Sequence, residues 1–175
     1  YKVIAVPHAE GDDVIAVLSK NIQEKSIIIS SDKDFTQLQK FKHIKQYSPI
    51  QKKMLSASDP YKYLQEHIIR GDKGDGVPNI LSDDDCMVQG VRQKPITQKK
   101  LAVWMEQTDM ANGLSVKWKR NQQLIDFDYI PAEISKGIMD SYSKKKDEQK
   151  QGQLLNYFIV NRLKYLMENI EDFIR

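Results

Sequence analysis

Three short clusters of acidic residues are the part of this sequence best suited to catalysis. Two of them directly follow apolar runs at residues 3–6 and 27–29, and the third lies in a glycine-rich segment. In chain order, the clusters are Glu10, Asp12 and Asp13; Asp32 and Asp34; and Asp72 and Asp75. Seven converging carboxylates repel one another unless cations neutralise them. Oxygen ligands without His or Cys favour Mg²⁺ or Mn²⁺ over zinc.

Clustered carboxylates commonly hold two divalent ions about 4 Å apart, which activate water and stabilise the leaving oxygen of a phosphodiester. Each cluster also has an ordinary explanation, because acids cap the first turn of helices and Asp-x-Asp and Gly-Asp segments are common in turns. The placement of two clusters after predicted parallel strands favours the metal site, since the carboxyl ends of such strands meet at one sheet edge. The sequence therefore predicts a two-metal site there.

The hydrophobic pattern predicts an α/β half followed by a helical half. The runs at 3–6 and 27–29 indicate two buried parallel strands joined by a helix, which begins near Asp12. Further predicted elements are a short helix at 34–38, edge strands or a hairpin at 43–47 and 52–55, and a helix from Asp59 to Arg70. Helices follow at about 97–107, 113–125, 131–143 and 151–171, with a charged linker at 144–150. We predict two domains, residues 1–75 and 76–175.

Charge is distributed unevenly along the chain. Lys and Arg total 27 against 24 Asp and Glu, and residues 92–120 hold seven bases and two acids. A basic stretch beside clustered acids suits a phosphate-binding surface next to a metal site, although on charge alone two solvated faces are the better explanation. The single cysteine, Cys86, fits a reducing compartment. No apolar run approaches the roughly 20 residues of a membrane helix, so we expect no membrane association.

The three acidic segments resemble the ordered motifs of the 5′-nuclease (flap endonuclease) family, and are most similar to its phage RNase H type. The segments are residues 10–16 (EGDDVIA), 30–38 (SSDKDFTQL) and 71–78 (GDKGDGVP). The likeness extends to residues 46–49 (QYSP) and 124–131 (LIDFDYIP). It implies a PIN-like nuclease core with a partial parallel sheet, followed by a helix-turn-helix region that binds duplex DNA.

The resemblance also implies roles for individual residues. The implied metal ligands are Glu10, Asp12, Asp32, Asp34, Asp72 and Asp75, and the implied catalytic acids are Asp12, Asp13, Asp32 and Asp34, with Asp13 in a supporting role. The implied contacts to DNA phosphates are Lys73, Gly74, Gly76, Arg92, Lys94, Lys99 and Lys100. The acids at 83–85 are expected to cap the next helix.

The implied activity is that of a 5′→3′ exonuclease and flap endonuclease with two Mg²⁺ ions, for which Mn²⁺ substitutes. Its substrates would be duplex DNA, RNA/DNA hybrid and 5′-flap DNA, as it removes RNA primers and flaps during replication. Partners would include a single-strand-binding protein or a sliding clamp. We expect a monomer in the cytoplasm, that of the host cell for a phage-encoded protein.

Other interpretations stay open on the residues alone. The chain opens inside a predicted strand, so we expect a fragment that lacks the family's upstream metal ligands and basic helical arch. Such a fragment would be a non-catalytic duplex-binding module. A weaker alternative is a single-strand ribonuclease with a related acidic sheet edge. Residues 32–34 (DKD) also resemble the nucleophile loop of haloacid-type phosphatases, which we rank low because no further motif of that class is assigned.

Overall fold

The computed structural model describes residues 2–106, 114–144 and 151–173, so most of the predicted charged linker lies outside the described residues. The chain is a mixed α/β structure that divides into two compact units. One unit spans Ile4–Ser141 and holds every predicted site residue. The other combines the residues before Ile4 with those after Ser141. The domain boundary at residue 75 remains a prediction.

The elements follow one another in a simple order. The first are α1 (Gly11–Asn21), β1 (Ser26–Ile29), a 3₁₀ helix (Asp34–Lys40), β2 (Ile44–Ser48), β3 (Lys53–Leu55) and α2 (Pro60–Arg70). The later ones are α3 (Gln98–Met105), α4 (Leu114–Ile125), a 3₁₀ helix (Phe127–Tyr129), α5 (Ala132–Ser143), α6 (Gln151–Val160), α7 (Lys164–Glu168) and a 3₁₀ helix (Ile170–Phe173). Of the helices in these ranges, none has the length and apolar character needed to cross a membrane.

The sheet has three strands in the order β1-β2-β3. Strands β1 and β2 are parallel, with Ser26 beside Ile44, and the Asp34–Lys40 3₁₀ helix forms the crossover between them. Strands β2 and β3 are antiparallel, with Tyr47 beside Met54. The short helix and the hairpin predicted from the sequence are therefore confirmed.

The predicted strand at residues 3–6 is wrong. This segment is irregular, and the Val3 side chain is 87% exposed. A strand needs a neighbour whose backbone groups pair with its own, and apolar residues alone do not supply one. The prediction that β1 is fully buried is also wrong, because Ile28 is buried whereas Ile27 and Ile29 are 59% and 72% exposed.

An apolar cluster connects α1 to the sheet. Its buried members are Ala16, Ile28, Phe35, Leu38 and Ile44. Each large apolar side chain buried in this way contributes about 1.5–3 kcal/mol relative to an exposed one. This packing fixes the start of α1 beside the loop that follows β1, so it sets the distance between the first two acidic clusters.

Two further clusters hold α2 against the later helices. One contains Ile68 and Val77 with Ile125, and the other contains Ile69 and Ile80 with the α3 residue Leu101. Trp118 packs against both clusters and Trp104 against the second. Helix α2 begins as predicted, since the Asp59 side chain accepts hydrogen bonds from the backbone N–H groups of the first turn.

The prediction that the acids at 83–85 cap a helix is wrong. Residues 83–90 form turns, and the next helix, α3, begins at Gln98. Asp83 instead pairs with Lys117 of α4 at 3.0 Å, and Asp84 pairs with Arg120 of the same helix. Asp83 and Asp84 therefore form ion pairs with α4 in a segment of turns, where there is no helix start for them to cap.

The predicted long last helix at 151–171 is interrupted. Helix α6 ends at Val160, and Arg162 has a φ of +54°, in the left-handed region. The backbone N–H groups of Arg162 and Leu163 donate back to the carbonyls of Ile159 and Phe158. These bonds form a Schellman motif, which satisfies the last carbonyls of a helix and ends it. Because Arg stands where Gly is usual, composition did not signal this end.

We predict that Asn121→Leu destabilises the fold by about 2 kcal/mol. The Asn121 side chain is fully buried, and its amide donates to the carbonyl oxygens of Ile68 and Pro78 at 2.8 and 2.9 Å. The substitution leaves the Ile68 carbonyl, in the last turn of α2, without this partner. Urea denaturation measures the loss. The exposed Gln123→Leu on the same helix is the control, and an equal effect of both substitutions would contradict the assignment.

We predict that Asp128 stabilises the fold by about 0.5–1 kcal/mol near neutral pH and not in acid. Partial burial raises the pKa of Asp128, but hydrogen bonds from Lys40 and Lys20 outweigh it and lower the pKa. A lowered pKa gives stability that is present above the pKa of the unfolded chain, about 3.9, and is lost as pH falls through the folded value. The wild type should therefore exceed Asp128→Asn in unfolding free energy at pH 7, with the difference shrinking below pH 4. A difference that grows in acid would contradict this.

Candidate metal centre and basic groove

The structure brings the predicted metal ligands together in one groove of the Ile4–Ser141 unit. The acids that line it are Glu10, Asp12, Asp32, Asp34, Asp72 and Asp75. Asp13 lines an adjoining cavity of about 160 Å³, together with several of the same acids. The three acidic clusters, which are up to 65 residues apart in the chain, therefore share one site. We call it the acidic groove.

The first cluster lies at the start of α1 and is held by a capping box. The Glu10 side chain accepts a hydrogen bond from the Asp13 backbone N–H, and the Asp13 carboxylate accepts one from Glu10 N at 2.9 Å. Asp13 is thus engaged with the backbone. Burial raises the pKa of Asp12, and repulsion from Asp32, Glu10 and other acids raises it further.

The second cluster follows β1 in a loop that a buried glutamine holds in place. The Asp34 backbone N–H donates to the Asp32 carboxylate at 3.0 Å, which forms a tight turn. Gln46, fully buried on β2, donates its amide to the carbonyl oxygens of Ser30 and Asp32. Gln46 of β2 thus holds the loop that follows β1, and the parallel pairing of the two strands places Asp32 and Asp34 through this side chain.

The third cluster lies in the loop that follows α2. Gly71 ends the helix with a φ of +67°, and a Cβ atom there would meet the Val77 carbonyl oxygen at 2.3 Å, so only glycine fits. Val77 pairs with Asp72 across the loop, its N–H donating to the Asp72 carbonyl at 2.7 Å. The narrow loop keeps Asp72 buried at its base, whereas Asp75 is exposed.

His67, Lys33 and Tyr63 also lie at this site, and the sequence pattern did not indicate them. His67 Nε2 lies 2.9 Å from Asp72 Oδ2, and Lys33 Nζ lies 3.2 Å from the same oxygen. Tyr63 packs edge-on against the His67 ring at 5.9 Å. A histidine in the last turn before the Gly-Asp motif was the available signal. Its orientation depends on how α2 packs, and the sequence pattern does not specify that.

The surroundings of the acidic groove lower the pKa of Asp72 and raise the pKa values of Asp34 and Lys33. Burial alone would raise the pKa of Asp72, but hydrogen bonds from His67, Lys33 and Gly74 N lower it to about 2. Burial raises the pKa of Asp34, with repulsion from Asp32 and Asp72 adding to it and the nearby His67 opposing it. Hydrogen bonding to Asp72 raises the pKa of Lys33. Asp72 is therefore firmly ionised, while Asp12 and Asp34 lack sufficient positive charge around them.

The residues fit a divalent cation. Asp34 Oδ1 is buried and, among the described residues, meets no hydrogen-bond donor; His67 Nδ1 likewise finds no partner there. Ligand atoms of Asp34, His67 and Asp72 lie within 4.8 Å of one another. Buried polar atoms without partners cost free energy, and a cation between them removes that cost.

A second groove carries the predicted phosphate contacts. Its lining includes Lys73, Gly74, Gly76, Arg92 and Lys94, together with Arg70, and within the described chain no Asp or Glu lines it. We call it the basic groove. The predicted Lys99 and Lys100 do not line it, because they lie on the first turn of α3. Asp72 and Asp75 flank Lys73 and Gly74 in the chain, so one loop borders both grooves.

Comparison with known proteins assigns the chain to a family. Residues 59–173 match the family described as T4 RNase H, C terminal. The chain is also 33% identical over 186 aligned residues to Ribonuclease H of Enterobacteria phage T4, covering 99% of this chain and 61% of that protein. The chain thus spans about three fifths of the length of this relative. The matched region includes α2, the loop with the third acidic cluster and the basic groove, and the chain belongs to the T4 RNase H family.

Proposed function

We propose that this chain provides the divalent-metal site and the duplex-binding surface of a 5′ nuclease. The observation that carries the proposal is the meeting of six carboxylates in the acidic groove. The raised pKa values of Asp12 and Asp34 support it, because they reflect burial and repulsion that a divalent cation would relieve. Membership of the T4 RNase H family supports it independently.

The proposed roles follow the geometry of the loops. Glu10, Asp12, Asp32 and Asp34 would hold metal directly or through water, and Asp75, with Asp72 acting through bound water, would complete a second position. Bound Mg²⁺ or Mn²⁺ ions supply an activated water and neutralise charge at the scissile phosphate. Asp13 supports by fixing the start of α1, and Gln46 supports by holding the backbone of Asp32.

The proposed substrates are duplexes with a 5′ end to be removed: RNA/DNA hybrid, 5′-flap DNA or duplex DNA. The basic groove supports this, since Lys73, Arg92 and Lys94 are spaced along a surface that suits backbone phosphates rather than base edges. Removal of RNA primers and flaps during replication fits such substrates. A single-strand-binding protein or a sliding clamp as partner, and action in the host cytoplasm, belong to the same proposal.

A second candidate function is duplex binding without cleavage. The supporting observation is that the chain spans 61% of the phage T4 relative, so the activity of a whole nuclease is not transferred to it automatically. The basic groove has its own lining, apart from the start of α1 and the loop after β1. Binding to the basic groove therefore does not require the first two acidic clusters.

We predict that Asp34→Asn lowers metal-dependent cleavage of a labelled 5′-flap duplex by about 10³-fold or more. The substitution removes a ligand charge from the acidic groove, and losses of about 4 kcal/mol of transition-state stabilisation have this size. Gel analysis with Mg²⁺ and then Mn²⁺ measures the rate. Asp140→Asn, on the exposed side of α5, is the matched control.

Three outcomes separate the candidates. Cleavage by the wild type and by Asp140→Asn, but not by Asp34→Asn, supports the nuclease. Equal cleavage by Asp34→Asn contradicts the proposed site. Binding of the flap duplex by the wild type without cleavage in either metal supports the duplex-binding function instead.

We predict that Lys73→Gln combined with Arg92→Gln weakens duplex binding about equally for all sequences. Each lost phosphate contact should reduce the slope of log affinity against log salt concentration by about 1, so the pair should reduce it by about 2. Fluorescence anisotropy between roughly 50 and 200 mM salt measures both effects. Lys136→Gln on α5 removes an exposed charge elsewhere, and the same change in slope for that variant would refute the basic groove as the binding surface.

A further inference from the structure

His67 occupies an unusual position between two of the acids. It lies in the last turn of α2 and is 8% exposed. One ring nitrogen, Nε2, lies 2.9 Å from Asp72 Oδ2, and the other, Nδ1, lies 3.7 Å from Asp34 Oδ1. Among the residues that the structure describes, neither Nδ1 nor Asp34 Oδ1 has a hydrogen-bond partner, and both atoms are buried.

The hydrogen bond to Asp72 determines which nitrogen carries a lone pair. The Asp72 carboxylate also accepts from Lys33 Nζ and Gly74 N, so it is surrounded by donors and acts as an acceptor. Nε2 must therefore be the donor. In neutral imidazole the other nitrogen is then an acceptor, so the Nδ1 lone pair faces the Asp34 carboxylate.

With His67 neutral, two buried acceptors face each other, and a positive charge between them, either a proton on Nδ1 or a bound cation, removes their repulsion. The Nδ1–Oδ1 distance of 3.7 Å is longer than an ordinary hydrogen bond, which spans about 2.7–3.2 Å. Two metal–ligand bonds of about 2.1 Å at a tetrahedral angle separate their donor atoms by about 3.4 Å, which is close to this distance. A carboxylate that accepts from the second ring nitrogen is the usual support of a metal-binding histidine.

We propose that His67 Nδ1 and Asp34 Oδ1 together bind one divalent transition metal, with Asp72 orienting the imidazole rather than acting as a ligand itself. This inference rests on the proposed function, because it concerns one metal position of the acidic groove. It assigns a nitrogen ligand to a site that the sequence predicted to be purely oxygen.

The ligand change alters which metal the position prefers. Imidazole favours the later divalent transition metals such as Zn²⁺ and Co²⁺, whereas Mg²⁺ keeps to oxygen ligands and retains its water. Asp72 has little capacity left for a direct bond to this metal, since Oδ2 accepts from His67 and Lys33 and Oδ1 accepts from Gly74 N at 2.7 Å. The position next to Asp34 should therefore select a transition metal over Mg²⁺.

The test observes the imidazole nitrogens directly. The chain has three histidines, so long-range ¹H–¹⁵N spectra of the labelled 175-residue protein resolve His8, His43 and His67. We expect Zn²⁺ to move the His67 Nδ1 resonance to a metal-bound position while its Nε2 stays protonated, and Mg²⁺ to leave it unmoved. Calorimetry then compares Zn²⁺ and Co²⁺ affinity in His67→Gln, expected to fall by about 10-fold or more, with the control His43→Gln, expected unchanged.

The outcomes distinguish this inference from the proposed nuclease. A His67 ring protonated on both nitrogens and unmoved by Zn²⁺, while Mg²⁺ still binds and Asp34→Asn removes that binding, overturns the nitrogen ligand alone. Binding of no divalent ion by the wild type overturns both proposals. A shift of Nδ1 with Zn²⁺ in a protein that cleaves no flap duplex supports the nitrogen ligand and counts against the nuclease. The spectra of the wild type decide the matter even where His67→Gln fails to fold.

Discussion

The carboxylate of Asp72 is the interaction on which the site depends. It joins the end of α2 through His67, the loop after β1 through Lys33, and its own loop through Gly74 N. Three chain segments thus share one buried anion, whose low pKa of about 2 reflects those bonds. Because His67, Lys33 and Gly74 N already pair with Asp72, little positive charge remains to neutralise Asp12 and Asp34. The remaining acids of the groove therefore repel one another and favour a cation.

Buried side-chain amides hold the mutually repelling acids of the groove in fixed positions. The Gln46 amide donates to the Asp32 carbonyl. Gln37, in the 3₁₀ helix that begins at Asp34, donates to the carbonyl of Ile125 at the end of α4. Asn121 of α4 donates to the carbonyl of Ile68 in the last turn of α2. Each side chain is at most 1% exposed and satisfies backbone groups that the helices and strands leave free. A buried amide that meets its partners is costly to disturb, because any shift leaves polar groups unsatisfied. The acids are thus held near one another at positions that their own charges oppose.

The acidic and basic grooves are complementary in their chemistry. One loop, running from Gly71 to Val77, places Asp72 and Asp75 beside the acids and Lys73 beside the bases. A phosphate backbone on the basic groove would therefore approach the acidic groove through this loop. Asp83 and Asp84 line neither groove; they hold α4 by pairing with Lys117 and Arg120, and Asp83 also lies 3.9 Å from Lys94. The same residue type thus lines the acidic groove in one place and docks a helix in another, depending on which bases face it.

The sequence by itself determined the elements with strong local signals and the order of the acidic motifs. Helix α2 is capped by Asp59 before its first residue and by Gly71 after its last one. The sequence could predict this helix because caps and positive-φ glycines act locally. The strand at 3–6 failed because a strand depends on a distant partner, and the helix at 151–171 broke at an arginine that adopts the glycine conformation. Only the tertiary structure decided that His67 faces Asp34 and Asp72, or that the basic groove excludes Lys99 and Lys100. Side-chain direction depends on how whole helices pack, and that packing is settled by contacts between residues far apart in the chain.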